Sequence, residues 1–244
     1  MDRAKEMSAV RSCRREALAA LDLHCGGQAL DVGCGPGDET FELARAVAPA
    51  GLGVGVDVSG VMIVEANRRA EGTGLPVRFQ ESDAQHLPFA DDTFDACRTE
   101  RMLCHVDDPA AALAEMVRVT RPGGRIAAID VDMEGLLLDS PHVAFTRAFL
   151  SSLAEGVRHG QIGRQLPRLF RRAGLGDIAV GFHLVPMDLD LIADICSSHL
   201  AWMAGSGHVD EAEAERWWAQ LEEDRADGTL LMAAPTVVVS ACKQ

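Results

Sequence analysis

The run Ala29-Leu30-Asp31-Val32-Gly33-Cys34-Gly35-Pro36-Gly37 constrains this chain more than any other feature. A short apolar stretch enters a turn almost bare of side chains, and a helical pattern follows over residues 39–47. Glycine lets the backbone adopt positive φ and come close to a ligand. The free N–H groups of the following helix start attract a negative ligand group. The same alternation then repeats. Residues 53–58, 77–80, 94–98 and 125–131 read as further buried strands, with helices over 3–24, 60–71 and 109–119. Strands apolar on both faces, alternating with helices, predict a parallel sheet covered on both sides. After residue 132 the pattern changes. Helical stretches follow at 141–160, 188–204 and 210–226, with closing strands at 177–185 and 235–242. The expected fold is α/β: a seven-stranded, mostly parallel, doubly wound Rossmann-like sheet with an antiparallel last strand and added lid helices. One domain over residues 1–244 is expected, with a ligand-binding core at 1–131.

Charge limits the partners. The chain has 244 residues, with 23 Lys+Arg against 37 Asp+Glu, for a net charge of -14. Phosphate backbones and anionic bilayers repel such a protein, so neither a nucleic acid nor a membrane is expected as partner. No apolar run approaches the roughly 20 residues that span a bilayer, and the N-terminal residues lack the apolar stretch of a secretory signal. The seven cysteines are odd in number and form no C-x-x-C pair, which argues against a disulfide framework or a metal site and for a reducing cytoplasm. A homodimer is left open.

Asp57 lies 24 residues after Gly33, at the end of the second strand. A carboxylate there accepts hydrogen bonds from the hydroxyls of an adenosine ribose. A dinucleotide fold wants a third glycine three residues after Gly35, but Asp38 stands there and would repel a pyrophosphate. Asp31 is also foreign to that fingerprint. It suits a ligand carrying an ammonium beside a carboxylate, as S-adenosylmethionine does.

The sequence D-V-G-C-G-P-G at residues 31–37 resembles motif I of the class I S-adenosylmethionine-dependent methyltransferases. The likeness continues in order through Gly55-Val56-Asp57-Val58-Ser59-Gly60-Val61-Met62, the block D-A-Q-H-L-P-F at 83–89 with D-D-T-F-D at 91–95, and C-H-V-D-D-P at 104–109. It ends with Glu115 and R-V-T-R-P-G-G at 118–124. This is the branch that includes the ubiquinone/menaquinone-biosynthesis methyltransferases (methyltransferase 11-like) and many small-molecule tailoring enzymes of secondary metabolism. The resemblance implies S-adenosyl-L-methionine as cofactor and a small-molecule methyl acceptor. It places Gly33, Cys34 and Gly35 beside the methionine part and Asp57 on the ribose. It packs Val58 and Met62 on the adenine, points Asp83 at the adenine amino group and gives the Ala84 N–H to a ring nitrogen. Arg98 and Thr99 are expected near the sulfonium, with Asp31 nearby.

Methyl transfer needs a base only when the acceptor is protonated. With no tyrosine in the chain, histidines and carboxylates are the candidates. His105 follows the fourth strand and Asp132 the fifth, at the sheet edge where open α/β folds hold ligands. Both are expected to face the transferring methyl, with His105 first because imidazole titrates near neutral pH. Asp130 alternates with Asp132, and Glu100 is a further acid after strand four. The stretches 141–160 and 188–204 are expected to cover the acceptor as a lid. Two other readings stand beside this one: a protein that binds S-adenosylmethionine without methylating, and an NAD-dependent oxidoreductase.

Overall fold

The computed structural model describes residues 8–187, 189–206 and 208–244. The expected first helix appears as α1 (Ser8–Ala20); its predicted residues 3–7 lie outside the described part. It stops at Ala20, short of the predicted residue 24, because the chain turns at Asp22 with a φ of 49°. Then come β1 (Gln28–Val32), α2 (Asp38–Val47), β2 (Leu52–Asp57), α3 (Gly60–Ala70), β3 (Val77–Glu81), β4 (Phe94–Glu100) and α4 (Pro109–Val119). The second half holds β5 (Thr120–Val131), β6 (Leu137–Leu138), α5 (Val143–Glu155), α6 (Ile162–Arg172), β7 (Gly176–Pro186), α7 (Leu189–Gly205), α8 (Glu211–Ala226) and β8 (Met232–Cys242).

The sheet runs β3-β2-β1-β4-β5-β8-β6, with β7 also paired to β8. The first five strands are parallel; β8 is antiparallel to β5, β6 and β7. The sheet thus has eight strands, one more than expected. The extra one is the two-residue β6, too short to carry a periodic signal. Ala233 of β8 pairs with Leu137 on one edge and Pro186 on the other, so β6 prolongs the β5 edge. Residues 121–124 are drawn into β5 as an irregularity where the register with β4 shifts.

Alternation along each strand sends side chains to two covered faces. Leu30, Val32, Val54, Val56, Ile126 and Ala128 join one core with α4 and α6. Ala29, Ala96, Ala127 and Ile129 join a second with α1 and α2. The helices of the second half build a separate core from Phe145, Phe149, Leu200, Met203, Trp217 and Leu221. Trp217 is fully buried, and its indole N–H donates to Thr146 Oγ1 at 2.8 Å. The other face of α8 carries its carboxylates to solvent. Strand order reverses between β1 and β4, and in open parallel sheets that switch point opens a crevice at the carboxyl ends of the strands.

Candidate active site

A cavity of about 400 Å³ opens at that crevice. Val32 and Gly33 end β1, Asp57 and Val58 end β2, and residues 82–85 follow β3; all line one side. Arg101, Met102, His105, Val106 and Asp107, from the loop after β4, line the other.

The glycine turn is tight for a visible reason. Gly33 has φ 75°, and a Cβ there would fall 2.6 Å from Met102 Cγ. Gly35 also has positive φ, but a Cβ there would meet open space, so its backbone borders room for a ligand. The Asp57 carboxylate accepts from the Gly35 N–H and the Ser59 N–H, each at 2.9 Å. A carboxylate offers about four acceptor sites, so two remain for hydroxyls. Val58 stands beside it 74% exposed, an apolar wall. Asp83 accepts from the Gln85 N–H at 2.9 Å, which holds its carboxyl below the usual range. Its loop is clamped from α4: Glu115 accepts from the Leu87 N–H at 2.8 Å, and Arg118 donates to the carbonyls of Leu87 and Phe89 at 3.0 and 2.8 Å. Gln85 ties this loop to the one after β4 by accepting from the Asp108 N–H at 3.0 Å. These features fit an adenosine: paired acceptor sites for a ribose, an apolar wall for a base, and a fixed carboxylate beyond it.

Of the expected residues, the cavity brings together Gly33, Asp57, Val58, Asp83, Ala84 and His105. Gly35 adjoins it through Asp57. The others lie elsewhere. Met62 is half-buried at the start of α3, where its N–H meets the capping Ser59 hydroxyl. Cys34 is buried; burial and the nearby Asp31 and Asp57 hold its thiol well above the usual range, so it supplies no thiolate. Thr99 is buried and donates to the Val32 carbonyl at 2.8 Å. Arg98 is not at the cavity. It pairs in register with Asp31, and both point to the α1–α2 face. The guanidinium, 3% exposed, reaches Glu100 at 2.8 Å, Glu39 at 3.4 Å and Asp31 at 3.7 Å. Asp31 also accepts from Thr40 Oγ1 at 2.8 Å, and Arg14 of α1 closes the cluster on Glu100 and Glu39. Burial raises the carboxyls of Asp31 and Glu39. Burial opposes Glu100 too, but Arg98 and Arg14 outweigh it and hold that carboxyl down.

Asp132 does not face the cavity, contrary to the sequence reading. It is 5% exposed, and Arg164 of α6 grips it through both Nε and Nη2. The strand has ended at Val131, so alternation no longer sets the side chain's direction, and the passing helix captures it. Asp130 is 1% exposed; burial raises its carboxyl to about 6. Its Oδ1 accepts from the Val131 N–H at 3.0 Å, while Oδ2 has no hydrogen-bond partner among the described residues. Of the stretches expected as a lid, residues 158 and 159 meet the cavity wall, Arg158 at Asp107 and the His159 ring at the Val106 carbonyl. The described residues of α5 and α7 pack on α8 and line none of the cavity. Arg101, Met102 and Asp107 were missed, since only the path of the β4 loop brings them in.

Among the described residues no helix is long and apolar enough to cross a membrane. Residues 30–128 match the family described as a methyltransferase domain. The chain spans about half the length of the first curated relatives it matches. It is 36% identical over 156 residues to methyltransferase GfsG of Streptomyces halstedii, covering 64% of this chain and 55% of that protein. It is 31% identical over 186 residues to a demethylmenaquinone methyltransferase of Bacillus cereus, covering 70% of this chain and 78% of that one. The YcgJ protein of Bacillus subtilis shares the fold, with a TM-score of 0.67 at 19% identity over 96% of this chain and 99% of that one. By these likenesses the chain belongs to the class I S-adenosylmethionine-dependent methyltransferases.

Proposed function

We propose that this protein moves a methyl group from S-adenosylmethionine to an O, N or C atom of a small molecule, of the secondary-metabolite or quinone-like kind. The observation that carries the reading is the joint placement of Gly33, Asp57, Val58, Asp83, Ala84 and His105 around one cavity. A nucleic-acid acceptor is disfavoured by the net charge of -14. Seven unpaired thiols suit a reducing cytoplasm.

When bound, S-adenosylmethionine supplies an electrophilic methyl on a sulfonium, whose sulfur leaves uncharged. The chain's own residues do the rest. Asp57 binds the ribose hydroxyls with the acceptor sites its backbone partners leave. Val58 covers one face of the base, and Asp83 with the Ala84 N–H fixes its edge. The Glu115–Arg118 clamp keeps that loop in place without touching the ligand. Alignment of reactants supplies most of the acceleration in such a displacement, up to roughly 7–11 kcal/mol in the best intramolecular cases. Of the two expected bases, His105 and Asp132, His105 is the one that lines the cavity. Its ring makes no hydrogen bond to another described residue, so it is free to take a proton from an acceptor at Nδ1 or Nε2.

Two measurements test this. S-adenosylhomocysteine should bind in calorimetry with a dissociation constant in the micromolar range, about -8 kcal/mol, while NAD gives no heat. His105→Ala should lower kcat more than tenfold on a protonated acceptor yet leave that affinity within about threefold, because a base acts in the transition state. NAD binding in place of S-adenosylhomocysteine would sink the reading.

A further inference from the structure

The cavity has one feature that cofactor binding does not use. Arg101 lines it, is exposed, and follows β4 with a φ of 50°, in the left-handed region. Such a conformation is strained for a residue other than glycine and persists where the surroundings fix it; here the Arg101 N–H donates to the Ile129 carbonyl at 2.8 Å. The other arginines near the crevice are engaged: Arg98 by Glu100, Arg118 by Glu115, Arg158 by Asp107 and Arg164 by Asp132. The Arg101 guanidinium has no ion pair among the described residues. Asp130 feels its charge, but that carboxyl is buried, 1% exposed, and makes no ion pair with Arg101; its Oδ1 accepts from the Val131 N–H. Asp57 and Asp83, across the cavity, are held by backbone N–H groups.

Of the acids lining the cavity, Asp57 and Asp83 are placed for the ribose and the base, and Asp107 is paired with Arg158, which leaves Arg101 as a lining cation with no counter-charge of its own among the described residues. An exposed guanidinium at the cavity attracts an anion, the more strongly as water leaves. We propose that the methyl acceptor enters as an oxyanion, a phenolate or an enolate, and that Arg101 recognises it. This rests on the reading above and names its substrate class. Arg101 cannot serve as a base, since a guanidinium stays protonated. It selects the ionised acceptor and keeps it ionised near neutral pH. In the transfer, an electron pair of the oxyanion, on oxygen or on the enolate carbon, forms the bond to the methyl carbon. The carbon–sulfur bond breaks with its pair going to sulfur. One anion and one cation become two neutral molecules; the acceptor's proton has left beforehand, to His105 or to water, and no further reactant is needed. Because the acceptor's charge fades in the transition state, Arg101 contributes to binding more than to kcat.

The probe is 4-nitrophenol, whose phenolate absorbs visible light. It is titrated against protein saturated with S-adenosylhomocysteine, so the readout involves no turnover. The bound probe should ionise at least one pH unit lower than the free probe, a tenfold preference for the phenolate. Arg101→Gln should abolish that shift while binding S-adenosylhomocysteine within threefold of the parent. Arg101→Lys should retain part of it. A bound probe with unchanged ionisation, the same shift in Arg101→Gln, or no binding of the probe to the loaded protein would each overturn the proposal. Failure to bind S-adenosylhomocysteine would instead overturn the reading beneath it.

Discussion

Asp57→Ala removes a side chain that serves both the fold and the ligand. Its carboxylate accepts two backbone N–H groups at 2.9 Å, from Gly35 in the turn and Ser59 at the start of α3. Hydrogen bonds to a charged group contribute about 1.5–3 kcal/mol each, and less where water replaces them. Both sites border the open cavity, so water takes over in part, and a loss of about 2 kcal/mol in stability is expected. For a chain of this size that lowers the melting temperature by roughly 4–8 °C. Ligand binding suffers separately. Losing a charge-assisted contact to the ribose, with the turn loosened, should weaken S-adenosylhomocysteine by about 1.5–3 kcal/mol, roughly 10- to 150-fold. Calorimetry and thermal unfolding on the same sample separate the two effects. Saturating ligand should raise the melting temperature of the parent by more than it raises that of the variant. An Asp57→Ala protein with parental affinity would refute the site. Parental affinity with a lowered melting temperature would show that Asp57 only ties the turn.

Two further outcomes follow from buried carboxyls. Asp130 keeps its proton up to about pH 6, whereas in the unfolded chain it loses it near 3.9. A raised folded value means that stability falls as pH rises from about 4 to 6 and stays lower above, by roughly 3 kcal/mol at most. Asp130→Asn should therefore match the parent in thermal unfolding near pH 4 and exceed it at pH 7.5; a constant difference across that range would contradict the assignment. Arg164→Ala strips Asp132 of its partner and should lower the melting temperature while kcat on a working acceptor stays within about twofold, and a large kcat loss without destabilisation would return Asp132 to the chemistry.

Local sequence carried the fold far. Strand alternation and glycine breaks located the long elements because both faces of the sheet are buried, and burial imposes a pattern that short windows reveal. The strand β6 escaped, since two residues have no period. The cofactor side of the site was legible for a similar reason: Gly33, Asp57 and Asp83 sit at strand ends, whose order fixes their place. Arg98 was misjudged because a strand residue near the carboxyl edge has two directions to point. Partner choice by Asp31 and Glu100 decided between them, and it acts across the sheet rather than along the chain. Asp132 and Arg101 were unreadable for a different reason. Each lies just past a strand, where a single φ angle or a passing helix redirects the side chain.

The charged cluster under α1 has a consequence for how this protein can vary. Arg14 and Arg98 face Asp31, Glu39 and Glu100, two cations against three acids. The raised carboxyls of Asp31 and Glu39 are where a shared proton would balance the sum. Deleting one partner from a buried cluster strands the rest and costs about 3–5 kcal/mol, whereas replacing the whole set by apolar groups is often neutral. Single substitutions at these five positions are thus blocked from every side while a joint replacement is not. In descent the five should pass together or be lost together, and the docking of α1 should be inherited as one character.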